Sequence, residues 1–161
     1  MKSEYALGEG RATMHETEID EILRRYRTVA VVGLSKDPFK DSHMVAKYLA
    51  DRGFEIIPVN PTADSVLDRK AYPSLTSIPD ELKSKIEIVD IFRPSDEVPA
   101  IVDEAIRMKR SAGRPFVIWL QLGIRNDGAA AKASLEGISA IQDRCIMIEA
   151  AGREEMSGFR V

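Results

Sequence analysis

The residues best placed to do chemistry lie in the run Thr28-Val29-Ala30-Val31-Val32-Gly33-Leu34-Ser35. An apolar, β-branched stretch that stops abruptly on Gly-x-Ser has the form of a buried parallel strand entering a tight turn. The first such turn of a doubly wound α/β protein commonly meets a phosphate, because a helix starts just beyond it. Backbone N–H groups around Ser35 and Lys36, with the Ser35 hydroxyl, are suited to that task. Lys40 adds positive charge near a helix expected from Ser42. Backbone angles alone would also explain Gly33, and solvation alone would explain the two lysines. The dinucleotide fingerprint G-x-G-x-x-G is incomplete here, since Gly33 is followed by Ser35 and then Asp37-Pro38.

The ends of the later strands carry the other candidates. A site for NAD places Asp or Glu after the second strand, to bond the ribose hydroxyls. This chain has Asn60-Pro61 there and no carboxylate before Asp64. An uncharged end suits a ribose that bears a phosphate, with Arg69 and Lys70 downstream as possible cations; a plain turn is the other explanation. After the third strand, Phe92-Arg93-Pro94 joins an aromatic ring, a guanidinium and a rigid turn. Arginine pairs with phosphate through two parallel hydrogen bonds, although a salt bridge to a nearby carboxylate would serve it equally well. Trp119 and Gln121 alternate along the fourth strand and so share a face, with core packing the expected role of Trp119. Gln121 joins the candidates as a strand exit.

No catalytic or metal constellation emerges. His15 and His43 lack a sequence-evident nucleophile partner, and Cys145 reads as a small buried residue. No His, Cys or carboxylate cluster has metal-ligand spacing.

The elements that must position these residues alternate along the chain. Residues 1–12 read as a mobile arm, and 13–161 as one domain. Thr17 is placed to cap a first helix containing Ile19, Ile22, Leu23 and Tyr26. Strands are expected at Val29–Val32, Phe54–Val59, Ile86–Phe92, Phe116–Gln121 and Ile138–Ile141. Helices are expected from Ser42 to Gly53, from Ser95 to Gly113, and from Asn126 or Asp127 to Gly137, with a further helix after Asp143. The stretch with Pro73 and Pro79 reads as turns. Such alternation implies a mostly parallel, five-stranded, doubly wound sheet of Rossmann-like type with helices on both faces. Ligands on such sheets bind beyond the carboxyl ends of the strands, where the strand order reverses.

Composition narrows the class. With 161 residues, 44% hydrophobic and 30% charged, the chain fits one soluble globular domain. No apolar run approaches the roughly 20 residues that span a bilayer, so no membrane role is expected. The single cysteine and the absence of an apolar leader suggest the cytoplasm. A net charge of −3 argues against nucleic acid as a partner but leaves room for a small anion in a local basic pocket.

The motifs Val31-Val32-Gly33-Leu34-Ser35, Val59-Asn60-Pro61, Tyr72-Pro73-Ser74-Leu75, Ile91-Phe92-Arg93, Trp119-Leu120-Gln121-x-Gly123-Ile124-x-Asn126 and Asp143-Arg144-Cys145 occur together and in order. Over roughly residues 15 to 150 the chain resembles the small stand-alone CoA-binding proteins, which are similar to the CoA-binding domain of the succinyl-CoA synthetase α subunit. The resemblance implies a Rossmann-like fold and a coenzyme A ligand, without established catalysis. It implies that Gly33, Leu34, Ser35 and Lys36 meet the pyrophosphate. Asn60 and Pro61 would border the adenosine, and Phe92, Arg93 and Pro94 the nucleotide and the start of the pantetheine arm. A glycine common near position 68 in the family is Asp68 here, so that loop departs from the pattern. Coenzyme A carries a 3′-phosphate on its ribose, which agrees with the missing acid after the second strand.

Three functions compete at this point: a CoA or acyl-CoA binding module, with an acyl-CoA enzyme as one candidate partner; an NAD(P)-dependent oxidoreductase; and an interaction module with a degenerate nucleotide site.

Overall fold

A computed structural model describes residues 14–158. The arm expected over residues 1–12 lies outside the described residues. Five strands form one sheet: β1 (Thr28–Val32), β2 (Glu55–Val59), β5 (Ile88–Ile91), β6 (Val117–Leu120) and β7 (Ser139–Ile141). Their order is β2-β1-β5-β6-β7, and every pairing is parallel. The chain leaves β1 toward β2 on one side and returns to β5 on the other. The strand order therefore reverses between β1 and β5, and a crevice opens there at the carboxyl edge.

Side-chain alternation divides the core into two layers. Ala30, Val32, Val89, Ile91, Ile118 and Leu120 face α4 (Val98–Ala112) and α5 (Asp127–Leu135). Val29, Val31, Ile88, Val117 and Trp119 face α1 (Met14–Arg25), α2 (Asp41–Asp51) and α6 (Ile146–Gly158). Both faces are covered, so strands as uniformly apolar as β1 are stable only here. The expected doubly wound, Rossmann-like architecture is what the chain adopts.

Several local expectations need correction. Helix α1 is already formed at Met14, so Thr17 lies inside it rather than capping it. Helix α2 starts at Asp41, with Lys40 in the capping position and no side-chain cap bond. Ser95 does not cap α4: a 3₁₀ turn, Ser95–Glu97, intervenes. Its hydroxyl instead accepts from the Arg125 N–H at 3.0 Å, and its carbonyl accepts from Asn126 Nδ2 at 3.2 Å. The turn-rich stretch holds an antiparallel hairpin, β3 (Ser65–Val66) and β4 (Arg69–Lys70), and then a short helix α3 (Asp80–Lys83). Two-residue strands are too short to leave a periodic signal. Asn126, by contrast, caps α5, accepting from the Ala129 N–H at 2.9 Å.

Candidate functional site

The site is built where β1 and β5 end side by side. Gly33 has φ +86°, a conformation that side chains resist. Its N–H donates to the Val59 carbonyl at 2.9 Å, and the Phe92 N–H donates to the Val32 carbonyl at 2.9 Å. The turn is thus tied to the ends of β2 and β5. A Cβ on Gly33 would lie 2.8 Å from the Phe92 carbonyl oxygen and 2.9 Å from Arg93 Cδ. Glycine is required at this position by close approach as well as by its backbone angle.

Asn60 joins the second strand exit to the first. Its Nδ2 donates to the Leu34 carbonyl at 2.9 Å, while its Oδ1 accepts from the Thr62 and Ala63 N–H groups at 2.8 and 3.0 Å. One side chain therefore shapes its own turn and braces the neighbouring one. Leu34 is fully buried in the layer under α1, α2 and α6, so it presents only backbone to the crevice. Pro61 is exposed beside Asn60.

Ser35 is clamped by the first turn of α2. Its N–H donates to Ser42 Oγ at 2.9 Å, and its carbonyl is 2.8 Å from His43 Nδ1. A carbonyl can only accept, so His43 carries its proton on Nδ1. The Ser35 hydroxyl accepts from the Asp37 N–H at 3.0 Å. The Ser35 amide is thus already used within the turn. The donors left are others: among the described residues, the N–H groups of Leu34, Lys36, Asp41 and Ser42 have no internal acceptor. All four belong to the turn or to the start of α2, where the helix dipole also favours an anion. Lys36 and Lys40 are exposed and make no ion pair among the described residues.

Phe92 is half-buried against the α1/α2/α6 layer, and Pro94 is exposed ahead of the 3₁₀ turn. Arg93 has its Nε and Nη2 on the Glu97 carboxylate, at 3.0 Å each. Gln121 lies on the same sheet edge but is buried, and its Oε1 accepts from the Ile146 N–H at 3.1 Å, holding the start of α6. Trp119 is a core residue whose indole N–H donates to the Arg144 carbonyl at 2.8 Å.

The downstream cations are arranged differently from the other candidates. Leu67 and Asp68 take left-handed angles of φ 55° and 59° at the hairpin tip. Asp68 thus adopts the backbone that a glycine would take freely. The Arg69 guanidinium donates to the Leu67 carbonyl at 2.8 Å; its charge also reaches Asp51, at the far end of α2 from the Gly33 turn, whose pKa is lowered chiefly by the Lys47 hydrogen bond and least by Arg69. The Lys70 ammonium lies over the Tyr72 ring at 5.5 Å.

Sequence reasoning missed Asp90. It lies mid-strand in β5, between Val31 and Trp119, completely buried, and neither carboxylate oxygen has a partner among the described residues. Burial alone pushes its pKa well above the ordinary carboxylate range. The only signal was a single acid inside the apolar run Ile88–Phe92.

One further feature lies elsewhere. An open groove of about 670 Å³, lined by His15, Glu18, Glu21, Arg25, Tyr26 and Phe116, sits beside α1 at the amino ends of β6 and β7, opposite the phosphate turn. Among the described residues, no three His, Cys, Asp or Glu side chains group to hold a metal ion, and no helix is long and apolar enough to cross a membrane.

Comparisons with known proteins agree with this arrangement. A family model described as a CoA binding domain matches residues 27–151. The uncharacterized protein YneT of Bacillus subtilis is 41% identical over 133 residues, covering 83% of this chain and 92% of YneT. A hypothetical protein from Pyrococcus horikoshii has a solved structure that is 37% identical, with a TM-score of 0.75 over 86% of this chain and 94% of that one. An ADP-forming acetate–CoA ligase II of Archaeoglobus fulgidus is 39% identical over 80 residues, which span 48% of this chain and 11% of the ligase. With a family model matched across every strand of the sheet and the whole Gly33–Lys36 turn, the chain belongs to the CoA binding domain family.

Proposed function

We propose that this protein binds coenzyme A, or an acyl thioester of it, through the nucleotide phosphates at the Gly33 turn, and carries out no chemistry of its own there. The observation that carries this reading is the set of N–H groups on Leu34, Lys36, Asp41 and Ser42 left without internal acceptors around a turn that admits only glycine at its apex. Unpaired amides at a helix start are a preformed anion site. The uncharged Asn60 after β2 favours a phosphorylated ribose over the bare ribose of NAD, since a carboxylate there would repel the phosphate. Family membership points to the same ligand.

Binding without catalysis matches a carrier, a sensor, or a partner of an acyl-CoA enzyme. The similar segment in the Archaeoglobus ligase makes up about a tenth of a much longer chain, which supports the last of these. A cytoplasmic setting is consistent with the half-buried free thiol of Cys145.

A thermal-shift panel with coenzyme A, acetyl-CoA, NAD and NADP tests the reading. Stabilisation grows with ligand concentration over Kd, so micromolar binding raises Tm visibly at millimolar ligand. The expected result is a shift with coenzyme A or acetyl-CoA that exceeds the shift with either nicotinamide nucleotide. A shift with NAD and none with coenzyme A would favour the oxidoreductase alternative. No shift with any of the four would favour an interaction module.

A further inference from the structure

We propose that Glu97 is a built-in competitor for the Arg93 guanidinium, and that a phosphate-bearing ligand enters the site by taking Arg93 from it. The inference rests on the coenzyme A reading above and concerns the regulation of that same site.

Arg93 is the guanidinium of the crevice. It follows β5 directly at the point where strand order reverses, and its Cδ lies 2.9 Å from the position of a Cβ on Gly33. The stem of the side chain therefore lies against the phosphate turn. Its head is bound elsewhere: Nε and Nη2 each sit 3.0 Å from a Glu97 oxygen, in the two-pronged geometry that a phosphate would also use.

Three features make this pair exchangeable. Both side chains are 46% exposed, so neither charge is trapped when the pair opens. The Glu97 carboxylate has no other partner among the described residues, so Arg93 alone holds it in place. An exposed pair of this kind is weak, whereas a phosphate offers more charge and equally good geometry. Lys36 and Lys40 need no such exchange, since they make no ion pair among the described residues. Glu97 thus sets the cost of recruiting the one cation that is already taken. Asp96, its neighbour, carries the same charge but does not touch Arg93.

Calorimetric titration of coenzyme A at low salt tests this on the wild type and on Glu97→Gln, Asp96→Asn, Arg93→Ala and the Arg93→Ala/Glu97→Gln double variant. Glu97→Gln should bind about three- to fivefold more tightly, the scale of an exposed ion pair. Asp96→Asn should change affinity less than about twofold, because it removes charge without freeing the guanidinium. In the Arg93→Ala background the Glu97→Gln gain should vanish. Equal or weaker binding by Glu97→Gln would show instead that Glu97 orients Arg93, and would overturn the proposal. A gain that persists without Arg93, or that Asp96→Asn matches, would reduce the effect to general charge and also overturn it. A wild type that does not bind coenzyme A removes the functional reading and this inference together. A wild type that binds with no response to Glu97→Gln removes only the inference.

Discussion

Gly33 and Phe92 are packed so closely that a single methyl group on Gly33 would lie 2.8 Å from the Phe92 carbonyl oxygen. The contact joins the ends of β1 and β5, the two strands between which the sheet reverses. It makes the phosphate turn and the Phe92-Arg93 exit one structural unit, so disturbing either should disturb both.

Gly33→Ala should therefore be costly twice over. The left-handed angle of φ +86° adds strain, and the new methyl overlaps the Phe92 backbone, which cannot swing aside, as well as the Arg93 side chain. Together these should lower the stability by about 2–4 kcal/mol. Chemical denaturation reads this as a reduced midpoint at unchanged slope. A loss below about 0.5 kcal/mol would mean that the turn relaxes freely.

Asn60 offers a test of the brace between strand exits. Asn60→Asp keeps the shape and the acceptors for Thr62 and Ala63 but cannot donate to the Leu34 carbonyl when ionised. The variant should lose about 1–3 kcal/mol of stability and bind coenzyme A more weakly, because it also places negative charge near the nucleotide. Unchanged affinity in a folded Asn60→Asp protein would remove Asn60 from the ligand's surroundings.

Asp90 should make stability depend on pH in an unusual direction. Burial raises its pKa in the folded protein, so the unfolded chain ionises first as pH rises from about 4. Between the unfolded and folded pKa values the folded state holds the extra proton, and stability falls with increasing pH. The contribution approaches about 1.4 kcal/mol per pH unit for a single proton. Asn cannot titrate, so Asp90→Asn should gain on the wild type as pH rises above the ordinary carboxylate range, until the folded-state pKa is passed. Parallel stability curves for the two proteins would show that Asp90 does not carry that proton.

What the sequence made legible was the frame. An apolar run ending in Gly33 and repeated alternation of strand and helix located the Gly33 turn and the sheet edge that carries the candidate site. What escaped depends on contacts between distant segments. Ser42 sits seven residues from Ser35, and only the folded turn shows that its hydroxyl uses the Ser35 amide and leaves Leu34 and Lys36 as donors. Ser95 has the look of a helix cap, yet Arg125 and Asn126, brought alongside from the loop after β6, claim it. Asp90 was passed over because an acid within a strand usually faces water, and here both faces of the sheet are covered.

Backbone amide chemical shifts during a coenzyme A titration report most directly on where the nucleotide phosphates bind. The Leu34, Lys36, Asp41 and Ser42 amides, which lack internal acceptors, should show the largest changes, with Gly33 and Arg93 alongside them. Residues of the groove at the other end of the sheet, such as Tyr26 and Phe116, should stay still. Shifts centred on that groove, with the Gly33 turn unmoved, would contradict a phosphate site at the carboxyl edge.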